Sequence, residues 1–275
     1  MTKDGKQIRV GADIGGTFTD VAMEVGETMH SAKVLTNYTA PEQGIVDGVR
    51  LVAERAGVAL SEIDTLIHGT TLATNALIER RGARTALITT KGFRDVIEMR
   101  TENRFEQYDL DIVLPAPLVP RDERFVLDER IDAHGEILKE IDDNELDALV
   151  DRIIEAGFES IAIGLIHSYV NGAHERRVRD ALLARKPDLF VSISCEVSPQ
   201  MREFQRFNTV CANAYVKPLM ASYLRRLTDS LKEAGTTCPV FMIHSGGGII
   251  SVESAIEFPV RLLESGPAGG AIFAA

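Results

Sequence analysis

Apolar residues open the chain in short runs. Ile8-Arg9-Val10-Gly11-Ala12 leads into Asp13-Ile14-Gly15-Gly16-Thr17-Phe18-Thr19-Asp20, Val21-Ala22-Met23 comes at once after it, and Met29 to Leu35 is a third run. Three short strands with glycine at the first joint predict an antiparallel meander. Ile45, Val49, Val52 and Ala53 then recur at helical spacing after a cap-like Thr39-Ala40-Pro41-Glu42, and Gly57 closes the helix. Thr65–His68 is a strand, 72–81 a helix and Thr85–Thr89 a strand, an alternation that predicts parallel neighbours extending the meander.

The regularity stops between Gly92 and about Arg130. Phe93 to Arg100 has helical character, but Pro115, Pro117 and Pro120 interrupt the stretch beyond it, which predicts a surface excursion or an inserted subdomain. Strands return at Phe125–Ile131 and Ile137–Ile141 around a hairpin at Asp132-Ala133-His134-Gly135. Asp142 caps a helix with Glu145 three residues on, and Leu146, Leu149, Val150, Ile153 and Ile154 mark its inner face before Gly157. Ser160–Ile166 has too few polar residues for a half-exposed strand and predicts a sheet covered on both faces. A helix over 172–185, a strand over 190–194 and a helical stretch over 199–234, broken or kinked at Pro218 with Leu224, Leu227 and Leu231 inward, come next. Pro239–His244 is a buried strand that meets Ser245-Gly246-Gly247-Gly248, and Glu264 begins a helix rich in small residues. The expected division is 1–92, 93–141, 142–263 and 264–275.

Composition narrows the class. The 275 residues are 45% hydrophobic and 26% charged, as in an ordinary globular protein. A formal net charge of −11 opposes non-specific attraction to nucleic acid or to an anionic membrane, so neither is an expected partner. The first residues lack the apolar stretch of a secretory signal, and Cys195, Cys211 and Cys238 are widely spaced and odd in number. Reduced thiols and a cytoplasmic setting are the expectation.

The candidate chemistry gathers at the first joint. Gly15 and Gly16 can take positive φ and have no side chain, so backbone amides there can approach an anion. Thr17 and Thr19 add hydroxyl donors, and Asp13 suits a hydrated Mg²⁺ that takes one or two carboxylates beside substrate phosphates. His68-Gly69-Thr70-Thr71, with Asn75 one turn beyond, comes after a strand and opens a helix, where α/β folds place ligand groups. The threonines serve equally as helix caps, and His68 is expected to be a satisfied core histidine. Gly246 and Gly247 offer either free backbone for a phosphate or a flexible turn. Arg94, Asp95, Glu98, Arg100, Glu102 and Arg104 read first as a solvated charged face. The sequence contains no H-E-x-x-H, G-x-S-x-G or Walker A pattern.

Four blocks in order, Asp13–Asp20, His68–Leu77, Gly82–Asp95 and Ser265-Gly266-Pro267-Ala268-Gly269-Gly270, resemble the hydantoinase A/5-oxoprolinase family. The resemblance implies an α/β fold of the actin-like ATPase (ribonuclease H-like) type, its mixed sheet opened by the antiparallel meander, with an inserted α+β subdomain. It implies ATP and Mg²⁺ as cofactors and ATP-dependent opening of a cyclic amide such as a hydantoin or 5-oxoproline, with a hydantoinase B-type subunit as partner. Asp13 would organise Mg²⁺, while Gly15, Gly16, Thr17 and Thr19, with Gly246 and Gly247, would meet the phosphates. Thr70 and Thr71 would act catalytically on the facing wall with Asn75. Asp95, Arg100 and Arg104 would stand on the substrate side. Members of the family carry a second Asp-x-Gly-Gly-Thr strand after the small-residue helix, so this chain resembles an N-terminal half that works with a second ATPase half. A kinase of the same fold acting on a hydroxyl, or a non-catalytic nucleotide-binding module, are the alternative expectations.

Overall fold

The computed structural model describes residues 7–37, 39–101, 106 and 108–265. They divide into two compact units, Met1–Glu79 with Leu219–Ala275, and Arg80–Pro218.

In the first unit β1 (Ile8–Ile14), β2 (Phe18–Val25) and β3 (Thr28–Leu35) form the meander. α1 (Pro41–Ala56) packs on all three, burying Ile45, Val49 and Val52. Each such side chain removed from water contributes about 1.5–3 kcal/mol. Proline sits in the first turn as expected, but no side chain caps the N-cap residue Ala40; Asn37 Oδ1 instead accepts from the amides of Thr39 and Ala40. Gly57, left-handed at φ 66°, ends the helix. β4 (Thr65–Thr70) lies parallel to β1, and α2 (Leu72–Ile78) comes directly after it.

The second unit holds β5 (Thr85–Thr90), α3 (Val96–Met99), β6 (Arg124–Leu127), a small hairpin of β7 (Arg130–Ile131) and β8 (Ile137–Lys139), α4 (Asp143–Glu155), β9 (Ser160–Gly164), α5 (Ala173–Arg185), β10 (Phe190–Ile193) and α6 (Ser194–Val197). Its main sheet runs β10-β9-β5-β6, all parallel. Asp142 caps α4 by accepting from the Glu145 amide at 3.0 Å, a contact worth about 1 kcal/mol. β5 and β9 are buried at every position, as strands covered on both faces must be.

α7 (Glu203–Glu233) continues unbroken through Pro218, where the division between the units falls, so the expected break is absent. In the first unit β11 (Val240–Ile243) adds parallel to β4, β12 (Ile249–Ser251) adds antiparallel, and α8 (Val252–Glu257) completes the order. The finished mixed sheet has the order β12-β11-β4-β1-β2-β3. Two boundaries therefore move. β5 pairs with β9 and β6, not with the meander sheet, so the first segment ends at Glu79 and not at 92. The irregular stretch supplies β6 to that same sheet, which makes the whole of Arg80–Pro218 the inserted unit. The small-residue helix expected over 264–275 lies, past Ser265, outside the described residues. No helix among the described residues is long and apolar enough to cross a membrane, and the three cysteines are free.

Candidate functional site

The Gly15–Gly16 joint is a tight hairpin: Ile14 pairs with Thr19, and the Gly15 amide donates to Phe18 O at 3.0 Å. Neither glycine adopts positive φ, contrary to the sequence expectation. What the turn requires is the missing side chain. A Cβ on Gly15 would sit 3.0 Å from Phe18 O, while the Cβ position of Gly16 faces open space, the condition for a ligand to approach the backbone. Thr17 is exposed on this turn. Thr19 is not available to a phosphate: it shares the buried face of β2 with Val21 and Met23, and its hydroxyl meets Thr36 Oγ1 at 3.2 Å.

Asp13 lies on the open face of β1, opposite Asp20 of β2 and Gly69 of β4. Partial burial and the Asp20 carboxylate push its carboxyl above the usual carboxylate range. A Cβ on Gly69 would come within 2.9 Å of Asp13 Oδ1, so glycine at 69 makes room for that carboxylate. Among the described residues no group of three or more His, Cys, Asp or Glu is placed to hold a metal ion by itself. A Mg²⁺ ion held by water, phosphates and one or two carboxylates needs none, and a carboxylate that ionises unwillingly beside a like charge is one that a cation relieves, so Asp13 fits the ion.

His68 is fully buried and satisfied, as its sequence context predicts. Its Nδ1 lies 3.1 Å from Ala12 O, which only accepts, so Nδ1 carries the proton and Nε2 accepts from the Tyr223 hydroxyl at 2.6 Å. Burial pulls its pKa down to about 4. The residue before Asp13 is thereby tied to α7. Thr70 takes the capping role, its Oγ1 accepting from the Leu72 amide at 3.2 Å, while Thr71 and Asn75 line a cleft with Ile14, Gly15, Gly16, Thr36, Pro41 and Tyr223. The cleft measures about 90 Å³ and opens at the carboxyl ends of β1 and β4, where open α/β sheets bind ligands. Thr36, Pro41 and Tyr223 carry no motif, and the apolar stripe of α7 was the signal for Tyr223's inward side.

Two other expectations fail on hydrogen bonding. Gly246 and Gly247 form the β11–β12 turn with Gly247 at φ 85°, but the Gly246 amide donates to His244 Nδ1 at 2.8 Å and the Gly247 amide to His244 O at 2.9 Å. Neither amide is left for a phosphate. In the second unit Asp95 is held by Arg121 at 2.8 and 3.0 Å, which lowers its carboxyl pKa, and Arg100 donates to Pro115 O. Both fasten the excursion. Arg104 lies outside the described residues.

The mixed sheet, with a tight glycine hairpin at the end of its first strand, defines an α/β protein of the actin-like ATPase type. Residues 9–186 match the hydantoinase/oxoprolinase N-terminal region and residues 206–275 match hydantoinase/oxoprolinase; the chain belongs to this family. It is 39% identical over 269 residues to an uncharacterised protein of Methanocaldococcus jannaschii and 33% identical over 272 residues to caprolactamase subunit alpha of Pseudomonas jessenii, covering 96% of this chain and 39% of the relative in each case. The crystal structure of the ATP-dependent caprolactamase from that bacterium superposes with a TM-score of 0.86 at 32% identity, over 94% of this chain and 39% of that one. Nucleotide-free acetone carboxylase gives 0.87 at 27% identity, over 98% and 40%. The chain thus spans about two fifths of the length of these relatives.

Proposed function

We propose that this chain supplies a phosphate-binding half of an enzyme that uses ATP to open a cyclic amide. The observation that carries the reading is the Asp13 carboxylate, seated against Gly69 and beside a hairpin whose Gly16 faces open space. The similarity to an ATP-dependent caprolactamase supports it. An amide carbon resists attack because nitrogen donates into the carbonyl. Transfer of the γ-phosphoryl group from ATP to the amide oxygen forms an O–P bond, releases ADP and turns that oxygen into a leaving group. Water then adds to the carbon, the ring C–N bond breaks as nitrogen takes a proton and leaves an acyl phosphate, and a second water attacks that carbon and expels phosphate with the original oxygen, leaving the ring-opened carboxylate.

In this reading the exposed backbone at Gly16 and Thr17 and the Thr17 hydroxyl bind the terminal phosphates, Gly15 shapes the turn, and Asp13 holds Mg²⁺ through water. Fixed donors of this kind are the main catalytic resource of phosphoryl transfer. The ion, when bound, neutralises charge on the phosphates. Thr71 and Asn75 stand on the acceptor side. A hydantoinase B-type subunit and a second ATPase half are the expected partners. A second reading, activation of a ketone for carboxylation, is favoured by the likeness to acetone carboxylase.

ADP release assayed in the protein at the length of its relatives separates the two. Stimulation by a lactam or hydantoin supports ring opening, stimulation by a ketone with bicarbonate supports the second reading, and stimulation by neither contradicts both.

A further inference from the structure

A larger cavity lies across the first unit's sheet from the hairpin, at the amino ends of the parallel strands. β11 runs parallel to β4 and β4 to β1, so Val240 at the start of β11 marks the edge opposite to Gly15. The cavity measures about 310 Å³ and is lined by Thr228, Leu231 and Lys232 of α7, by Val240 and by the connecting residues 236–238. At the ~30 Å³ that a water occupies in the liquid it has room for about ten non-hydrogen atoms, and it meets the ~300 Å³ at which ligand pockets begin.

α7 ends there in a paired closure. The Gly235 amide donates to Lys232 O at 2.9 Å and the Thr236 amide to Leu231 O at 3.0 Å, with Gly235 at φ 102°. In such an end the residue after the glycine commonly lays an apolar side chain against the last turns of the helix. Here that residue is threonine, 4% exposed, and its hydroxyl has no hydrogen-bond partner among the described residues. Valine has the same shape and would leave nothing unsatisfied, so packing gives no reason for an oxygen in this wall. Thr228, by contrast, donates to Leu224 O at 2.8 Å.

Lys232 stands exposed in the same last turn. The dipole of α7 puts partial negative charge at this end, which attracts the ammonium and opposes an anion. The closure takes up two of the carbonyls that carry this charge, whereas the ammonium keeps a whole one. Glu253, held low first by its own backbone amide and by Ser251, also feels Lys232, but no ion pair joins the two among the described residues. Burial raises the Cys238 thiol, which therefore stays neutral, and the nearby Asp64 carboxylate is engaged by the Ile8 amide at 2.7 Å. Leu231 and half-buried Val240 complete the wall with carbon.

We propose that this cavity is a second ligand site, which takes a small carboxylate with a short apolar tail. The Thr236 hydroxyl and the Lys232 ammonium hold the oxygens, and Leu231 and Val240 pack on the tail. None of these residues belongs to the hairpin site, so the proposal stands or falls apart from the functional reading above.

The test follows the methyl signals of Thr236, Leu231 and Val240 by NMR in the protein at the length of its relatives. Pentanoate, pentanamide, pentylamine and inorganic phosphate are the probes. Pentanoate shifts all three signals at millimolar concentration and binds about ten-fold more tightly than pentanamide, the factor equivalent to ~1.4 kcal/mol, while pentylamine leaves them in place. Lys232→Gln, which keeps most of the stem and removes the charge, brings pentanoate down to the affinity of pentanamide. Thr236→Val weakens pentanoate at least about three-fold and leaves the melting temperature at or above that of wild type, because an unanswered hydroxyl is gone.

Pentanamide or pentylamine bound as tightly as pentanoate overturns the preference for an anion, and phosphate bound as tightly overturns the apolar tail. Unchanged pentanoate affinity in either variant overturns the contact which that variant removes. A lower melting temperature for Thr236→Val means that the hydroxyl is already satisfied, and overturns the seat built on it. Absence of any shift up to about 50 mM, beyond even a weak millimolar site, overturns the site itself. Phosphate held at the hairpin leaves these readings undisturbed, since the three methyls report on the opposite edge of the sheet.

Discussion

The two units finish their parallel strands in opposite ways. At the carboxyl edge of the second unit, buried side chains meet the backbone. Glu175 accepts from the amides of Leu165 and Cys195, both at 2.8 Å, and from Ser194 Oγ at 2.6 Å. Arg206, fully buried, donates to Leu165 O, Ser194 Oγ and Gln200 O. Thr90 donates to Glu129, whose other oxygen lies 2.7 Å from His174 Nδ1. At the same edge of the first unit stand the Gly15–Gly16 hairpin, Thr70–Thr71 and a cleft. A strand end needs partners for its polar groups, and the protein can supply them itself or leave them for a ligand. The second unit supplies them with buried charged side chains and gains rigidity, while the first closes its edge with hairpin and hydroxyl contacts and keeps a cleft beside them.

The largest effect that could break this contrast belongs to Glu175. Glu175→Ala leaves two amides and Ser194 without their acceptor and removes one of the two carboxylates that offset the buried Arg206 charge, and the loss expected on breaking a buried ionic network is about 3–5 kcal/mol in urea unfolding. A loss under about 1 kcal/mol, the size of a single exposed contact, would mean that the edge is held by something else.

Next comes the pH dependence of the first unit. His68 is neutral in the fold with a pKa of about 4, against 6.5 when unfolded. The unfolded chain therefore binds the extra proton between those values. The stability contributed by the neutral ring is complete above pH 6.5 and falls as pH drops toward 4, by about 3 kcal/mol. Unfolding curves of wild type and His68→Gln across that window should differ in slope, and parallel curves would contradict the burial of a neutral ring.

Two glycines sharpen the comparison further. Gly69→Ala forces a methyl to 2.9 Å from Asp13 Oδ1 and should cost about 1–3 kcal/mol, as overpacking does, while weakening Mg²⁺-dependent nucleotide binding. Gly16→Ala meets nothing within 4 Å, so its melting temperature should stay within a degree or two of wild type, under about 0.5 kcal/mol, while anion binding falls. If Gly16→Ala leaves anion affinity intact, the hairpin backbone is not the binding surface.

Much of this was legible along the sequence because the governing forces are local. The meander, the Gly57 stop, the Asp142 cap and the fully buried β9 arise from periodicity and capping chemistry. The candidate site was legible in part. Asp13, Gly16 and Thr17 stand open to solvent on or beside one turn that half-buried Gly15 shapes, whereas the alternation that buries Val21 and Met23 also turns Thr19 inward, a signal present at i and i+2. Long-range pairing was not legible: nothing in Thr85–Thr90 announces that its neighbours are β9 and β6. Nor does Ser245–Gly248 show that His244 engages the amides of its own turn.

Asp13→Asn offers the most direct measurement. An ionised carboxyl whose pKa is raised in the fold opposes folding above that pKa, and the opposition fades as pH falls. Removing the charge should therefore leave the melting temperature at pH 7 at or above that of wild type. In the protein at the length of its relatives the same substitution should abolish Mg²⁺-dependent ATP turnover. Turnover near the wild-type rate, with the fold intact, would contradict the assignment of this edge as the phosphate site.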